Sequence, residues 1–330
     1  MPQSTFILVS RGSPLALAQS RWVKAELERL VSGLQVEIRT VRTTGDRMRH
    51  QPLPQIGGKG LFTKEIEEAL LEGRAHLAVH SLKDLPTQLP EGLIVGAVPP
   101  REDPRDVLIS KGGLRLAELP PKARVGTSSV RRAAQLKRLR GDLLIEPLRG
   151  NLGTRLRKLR EGPLDAVILA AAGLRRMRLE QRITEYFSED TLCPAAGQGA
   201  LAIEVRAEDT ITRAALAVLE DPEARLSVTA ERSLLQHLGG GCQVPIAALA
   251  RRQENQIRLT AMVIRPDGSE CLQTTEFGDL PGGARNSKAA IEAAEALGKK
   301  AAEVLLRQGA GKILQSVVQD QTSLPTPQSP

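Results

Sequence analysis

A thiol, an acid and a set of guanidinium groups are the residues of this 330-residue chain whose types and spacing could do chemistry together. Cys242 stands in Gly239-Gly240-Gly241-Cys242-Gln243-Val244-Pro245, where a glycine run lets the backbone bend toward another part of the molecule. A thiol so placed suits covalent attachment of a group. An unpaired cysteine also serves as a small apolar filler, and the local sequence leaves both uses open. Asp84, in Ser81-Leu82-Lys83-Asp84, is the lone acid in a basic turn. Cations nearby favour the charged form of a carboxylate. An anion inside a cationic cleft would repel anionic ligands, so it makes functional sense facing a cation such as an ammonium group or a developing iminium. An ion pair with Lys83 or a helix cap is the plainer use.

The guanidinium groups gather after strand-like runs: Arg11-Gly12-Ser13, Ser81 to Asp84, Thr127 to Arg132, and Arg149-Gly150-Asn151. Helix N-termini there offer unbonded N–H groups and the positive end of the helix dipole. Arginine adds a planar fork that matches a carboxylate. Arg11, Arg131, Arg132, Arg149 and Arg155 could thus line one anion-binding cleft, whereas Arg138, Arg140, Arg157 and Arg160 read as an exposed helix face. His76 and His80 flank a strand as packed or exposed groups, and no metal site is expected. Gly57-Gly58-Lys59-Gly60 lacks the rest of the phosphate-loop pattern, which argues against a nucleotide site.

The elements that must position these groups alternate between strand and helix. Phe6 to Val9 reads as a strand, and Ser13-Pro14 as the cap and first turn of a helix. Ala16, Val23, Leu27 and Leu30 fall on one face of that helix, which Gly33 closes. Val36 to Val41 is strand-like; Phe62, Ile66, Ala69 and Leu70 mark a second helix, and Leu77 to Val79 a buried strand. The pattern then restarts. A shift of 116 positions sets Val9 on Val125, Ser13 on Ser129, Ala18 on Ala134 and Gln19 on Gln135, as expected of two related α/β lobes facing each other. Mostly parallel sheets place ligands at the carboxyl ends of their strands. Pro99 to Pro104 and Cys193 to Gly199 read as two crossings between lobes, hence a hinge as in bilobed binding proteins. Beyond Pro222 a helix with Leu234, Leu235 and Leu238, a hairpin around Pro266-Asp267-Gly268, and an Ala-rich helix from Ala289 to Gln308 form a small third unit.

Composition narrows the partners. Lys and Arg outnumber Asp and Glu by 46 to 38, a net charge of +8, which suits an anionic ligand. Aromatic residues are only 2% of the chain, too few to stack nucleic-acid bases, and no basic amphipathic helix rich in Trp or Phe points to a membrane surface. Cys193, Cys242 and Cys271 have neither zinc-site nor disulfide spacing. Neither a signal peptide nor a transit peptide is read at Met1 to Val9, and Ala166 to Leu174 is too short to span a bilayer. The expectation is a reduced, cytoplasmic, monomeric protein (or one of a plastid stroma) that binds a small or oligomeric acid.

Seven segments carry a resemblance: Arg11-x-Ser13-Pro14-Leu15-Ala16-Leu17, Gly58 to Phe62, His80 to Asp84, Arg101 to Asp106, Gly126-Thr127-Ser128-Ser129-x-Arg131-Arg132, Arg149-Gly150-Asn151, and Gly239 to Pro245. In order and with fitting spacing, they resemble the porphobilinogen deaminase (hydroxymethylbilane synthase) family from about Ile7 to the Ala-rich helix. The resemblance implies an ammonia-releasing transferase of haem and chlorophyll biosynthesis, with porphobilinogen as substrate and a dipyrromethane cofactor in thioether linkage to Cys242. It gives Asp84 the role of catalytic carboxylate. It assigns Arg11, Ser13, Lys59, Ser81, Lys83, Thr127, Ser128, Ser129, Arg131, Arg132, Arg149, Gly150, Arg155 and Arg176 to cofactor or substrate binding, and puts Gln198 in the hinge. The family usually has Lys where Gln55 stands, so an ammonium contact there is lost or moved, and Lys59 is the candidate left in that loop.

Pattern and resemblance together give an α/β fold of two hinged, periplasmic-binding-protein-like lobes plus a small α+β domain. The expected units are 1–99 with 200–218, 105–193, and 222–330, the last carrying the cysteine loop and a disordered tail over 322–330. Two other functions remain open at this stage: a non-catalytic solute-binding module, and a nucleic-acid binder prompted by net charge alone.

Overall fold

Phe6, Leu8 and Val9 turn inward from strand β1 (Ser4–Arg11) in the computed structural model, which describes residues 4–47, 63–240, 244–281 and 287–322. The Ser13 hydroxyl accepts the Ala16 amide hydrogen at 3.3 Å, and Pro14 opens helix α1 (Pro14–Leu30). Val23 and Leu27 are fully buried. Leu30, expected on the same face, is 41% exposed because the helix ends there and the chain turns back through Gly33 at φ +74°. Strand β2 (Leu34–Val41), the short α2 (Thr44–Arg47), α3 (Lys64–Leu71), β3 (Leu77–Ser81) and β4 (Leu93–Ala97) follow. Ile66, Ala69 and Leu70 are buried as their spacing predicts, while Phe62 lies outside the described residues.

The second lobe repeats the plan. It contains β5 (Asp106–Ser110), β6 (Arg124–Gly126), α4 (Val130–Leu139), β7 (Leu144–Glu146), α5 (Leu152–Glu161), β8 (Ala166–Ala170), α6 (Ala171–Arg176) and β9 (Glu185–Tyr186). The chain then returns as β10 (Leu201–Arg206) to the first sheet, whose order is β2-β1-β3-β10-β4. The second sheet runs β7-β6-β8-β5-β9. In each sheet three adjacent strands are parallel, and the strand beside them (β10 in one, β5 in the other) is antiparallel. Ser129 caps α4 through the Arg132 amide as Ser13 caps α1, so the 116-residue shift read from sequence corresponds to a real structural repeat.

After α7 (Thr210–Leu216), helix α8 (Pro222–His237) leads to the antiparallel strands β11 (Ile246–Gln253), β12 (Gln256–Ile264) and β13 (Cys271–Asp279), then α9 (Lys288–Gln308) and α10 (Ala310–Thr322). Helix α10 has no counterpart in the sequence reading; Ile313 and Leu314 seat it on the third core, and it claims Thr322 from the expected tail, of which 323–330 lie outside the described residues. One face of α8 fills that core, and Ala224 and Val228 pack on Leu82, Leu85 and Val98 of the first lobe. Arg232 adds hydrogen bonds to the carbonyls of Leu85, Pro86 and Thr87. The Pro266-Asp267-Gly268 turn meets the second lobe, where a Cβ at Gly268 would lie 2.7 Å from the Arg138 amide nitrogen of α4.

At the hinge the crossings touch: the Glu102 N–H donates to the Gly199 carbonyl at 3.2 Å. Gly199 has φ +88°, and a Cβ there would stand 2.2 Å from the Glu102 carbonyl oxygen. Gly199→Ala therefore combines a left-handed backbone with a backbone clash, and should destabilise the protein by about 2 kcal/mol or more. Thermal unfolding checks this; an unchanged melting temperature would mean that the crossings do not meet this closely.

Candidate active site between the lobes

The expected site residues fall at the carboxyl ends of parallel strands. Arg11 ends β1 and Ser13 caps α1; Ser81 ends β3, with Lys83 and Asp84 in the following 3₁₀ turn. Thr127, Ser128 and Ser129 link β6 to α4, which carries Arg131 and Arg132 in its first turn. Arg149 and Gly150 lie between β7 and α5, which carries Arg155, and Arg176 ends α6. Lys59, Gln55 and Cys242 lie outside the described residues.

From these turns the structure assembles a charged knot. Arg131 and Arg132, only 4% and 5% exposed, converge on Asp106, which is fully buried. Arg131 Nη2 stands 2.7 Å from Oδ2, and Arg132 Nη2 2.6 Å from Oδ1. Arg131 also donates to the Cys193 carbonyl at 2.6 Å, and Arg132 to that of Ile168 at 3.2 Å. Gln198 sits in the middle. Its amide nitrogen donates to Asp106 at 2.9 Å and to the Pro104 carbonyl at 2.6 Å. Its amide oxygen accepts from Lys83 at 3.2 Å and Arg132 at 3.4 Å. One carboxamide thus joins both crossings to side chains of both lobes.

Electrostatics follows from this geometry. Burial works to raise the Asp106 pKa, but Arg131 and Arg132 outweigh it and hold the carboxyl well below the usual range. Lost hydration, then Arg132, pull the Lys83 ammonium down to about 8, with Asp84 and Asp106 offsetting part of the shift. Burial and Arg132 also lower Arg155, again partly offset by Asp84. Arg176 is lowered to about 10 by burial, and donates to the Gly199 carbonyl at 2.7 Å. Lys83, Arg131, Arg132 and Arg155 therefore share one region with the carboxylates Asp84 and Asp106. Asp84 is exposed while Asp106 is sealed, so Asp84 is the acid of the knot that a ligand can reach.

Several expectations change. Asp84 is not the lone acid, because Asp106 arrives through the fold from another segment. Arg131 and Arg132 are already paired with that internal carboxylate. The Ser128 hydroxyl is engaged with the Leu148 backbone, donating at 3.0 Å and accepting at 2.9 Å. Gly150 at φ +109° is required because a Cβ would lie 2.6 Å from Thr154. Arg140, expected on an exposed face, is half-buried and binds the Leu116 and Leu119 carbonyls. His80 is packed against Glu204 at 2.9 Å, and His76 accepts the Ile7 N–H at 2.9 Å.

Sequence reasoning missed a second buried acid as well. Glu231 of α8 accepts from Arg101 at 2.6 and 3.0 Å, from the Gly197 N–H at 2.6 Å and from the Ala250 N–H at 2.8 Å. It therefore ties both crossings to the third unit. A signal existed: Ala224, Val228, Glu231 and Leu234 share one helix face, which puts a carboxylate on an apolar stripe.

Two α/β lobes that bring Lys83, Arg131, Arg132 and Arg155 together around Asp84 and Asp106 define a bilobed α/β protein with a cationic candidate site between its lobes. A family model described as "Porphobilinogen deaminase, dipyromethane cofactor binding domain" matches residues 6–214, and "Porphobilinogen deaminase, C-terminal domain" matches 225–307. A porphobilinogen deaminase of Syntrophobacter fumaroxidans is 50% identical over 308 residues, covering 93% of this chain and 96% of that protein. One of Brevibacillus brevis is 49% identical over 312 residues, covering 94% and 97%. The chain belongs to the porphobilinogen deaminase family.

The lowered Lys83 pKa gives a direct check on the knot. Unfolded lysine keeps its proton to higher pH, so this group makes folding more favourable as pH rises from about 8 toward its ordinary value. An NMR titration of the Lys83 Nζ resonance, assigned with Lys83→Met, should show a midpoint near 8. A midpoint like that of a surface lysine would contradict the loss of hydration at Lys83.

Proposed function

We propose that this chain joins four porphobilinogen molecules head to tail on a dipyrromethane primer held by Cys242 through a thioether, and releases hydroxymethylbilane by hydrolysis. It thereby acts as a transferase of tetrapyrrole biosynthesis, feeding haem or chlorophyll. The observation that carries this reading is the division between the two acids of the knot. Asp106 is sealed among guanidinium groups, which leaves Asp84 exposed beside Lys83 and Arg155 to face a cation in the cleft.

The cation is the one that develops when the aminomethyl arm of porphobilinogen loses ammonia. The Asp84 carboxylate stabilises that charge and accepts the pyrrole N–H, a preorganised electrostatic contribution. Arg131, Arg132, Lys83, Arg155 and Arg176, with Arg11 and Arg149 at neighbouring strand ends, receive acetate and propionate groups. Ser13, Ser81, Thr127 and Ser129 set the turns that hold these cations in place. The donor set fits a primer rich in carboxylates, because cations exceed acids in the knot. Bound to the thiol, dipyrromethane supplies the nucleophilic pyrrole carbon. Tethering makes each coupling effectively intramolecular, which can lower a barrier by several kcal/mol, up to about 7–11 in well-oriented cases. The proton lost at each coupling needs an acceptor within reach of the reacting ring, a role this reading gives to Asp84 as the exposed carboxylate of the knot.

Units at 1–99 with 200–218, 105–193 and 222–330 fit this use, since the hinge can widen the cleft as the product lengthens. We further propose a cytoplasmic monomer that needs neither membrane nor nucleic acid; no helix among the described residues is long and apolar enough to cross a membrane.

Two variants test the assignment. Intact protein should exceed its sequence mass by one dipyrromethane, and Cys242→Ser should remove that increment and all turnover; an unmodified, fully active parent would defeat the anchor. Asp84→Ala should keep the increment but slow product formation by roughly 100-fold or more. Near-parental rates would rule out its catalytic role.

A further inference from the structure

The sealed acid of the knot has no part in the chemistry above, yet two guanidinium groups and a carboxamide converge on it. Asp106 opens β5 at the exit of the first crossing and is fully buried. Its two oxygens face different partners. Oδ2 pairs with Arg131 at 2.7 Å, while Oδ1 takes Arg132 Nη2 at 2.6 Å, Arg132 Nε at 3.0 Å and Gln198 at 2.9 Å. Consecutive arginines held side by side and buried repel each other, and each is costly to dehydrate. A single carboxylate between them offsets both effects and fixes one edge of each guanidinium. Carbonyls of Cys193 and Ile168 fix a second direction. The burial that lowers the Arg131 pKa is countered chiefly by Asp106, and Arg132 adds to the lowering.

We infer that Asp106 is a positioning residue for primer binding: it holds Arg131 and Arg132 in a fixed pair, reduces their joint charge to a single positive one, and through Gln198 sets Lys83 in register with them. The inference rests on the proposed function, since it assumes that this pair receives primer carboxylates. It adds that the pair is prepared by a residue from a different segment that never meets the ligand. A carboxylate entering from the cleft then finds donors whose orientation is already settled, so less side-chain freedom is lost on binding.

A merely structural role would lower the yield of folded protein and leave the primer-bearing fraction of the folded molecules unchanged. The test therefore reads primer occupancy by intact mass on monodisperse protein with parental circular dichroism, for the parent, Asp106→Asn, Arg131→Gln and the double variant. Asp106→Asn should lower occupancy, or the rate at which it is reached with added porphobilinogen, by about tenfold, as expected for misplacing one charge-assisted contact. The double variant restores charge balance and so protects against a failure to fold. It should be no worse than Arg131→Gln alone, because the two residues act through one arrangement. Parental occupancy in Asp106→Asn, or losses that multiply in the double variant, would overturn the positioning role. Should Asp106→Asn not fold, the comparison of the double variant with Arg131→Gln still decides the matter. A parent that carries no added mass would instead sink the proposed function itself.

Discussion

Two buried carboxylates hold the molecule together where its chain crosses between lobes. Asp106 is shared by Arg131, Arg132 and Gln198; Glu231 is shared by Arg101, Gly197 and Ala250. Neither acid is exposed to solvent. Removing one partner from such a site typically costs about 3–5 kcal/mol, because it strands a charge away from water. These bonds converge on the two interlobe segments and on α8, so a single polar network positions the hinge, the third unit and the cationic cleft together. The apolar cores make each lobe, but the network decides how the lobes face each other.

That constraint separates binding from catalysis. A cleft for a polycarboxylate needs clustered cations, and clustered cations destabilise a fold unless internal acids balance them. Asp106 provides the balance away from solvent, and Asp84 stays exposed, as the proposed function requires of the acid that meets the charge developing on the substrate. Gln198 links the two tasks, since one amide group touches Asp106, Arg132, Lys83 and the Pro104 carbonyl. A change in hinge angle would move these contacts, so the shape of the cleft and its electrostatics are coupled.

Much of this was legible in the sequence. Serine caps at Ser13 and Ser129, buried strands around Leu8 and Ala78, and the 116-residue shift follow from local rules of capping and periodicity, and the structure repeats them in both lobes. What escaped depends on contacts between distant segments. Asp106 lies 25 residues before Arg131, just past the linker read at Pro99 to Pro104, and local sequence offers it no partner; only the order of strands in the second sheet brings the two together. Glu231 sat in plain view on an apolar helix face, but its partners lie on both crossings. Ser128 and Arg140 looked free to meet ligand or solvent because local sequence does not reveal which backbone groups a later turn will offer. Helix α10 lacks a clear cap signal after Gly309, and it is held by tertiary contacts of Ile313 and Leu314.

The central claim is that a product chain grows on a tethered primer within the cationic cleft. Intact-mass spectrometry of the purified protein, before and shortly after addition of limiting porphobilinogen, tests it most directly. The account predicts a starting mass above that of the sequence, followed by discrete heavier species spaced by one deaminated porphobilinogen unit, up to four additions. A protein that stays at its bare sequence mass while converting porphobilinogen would contradict it.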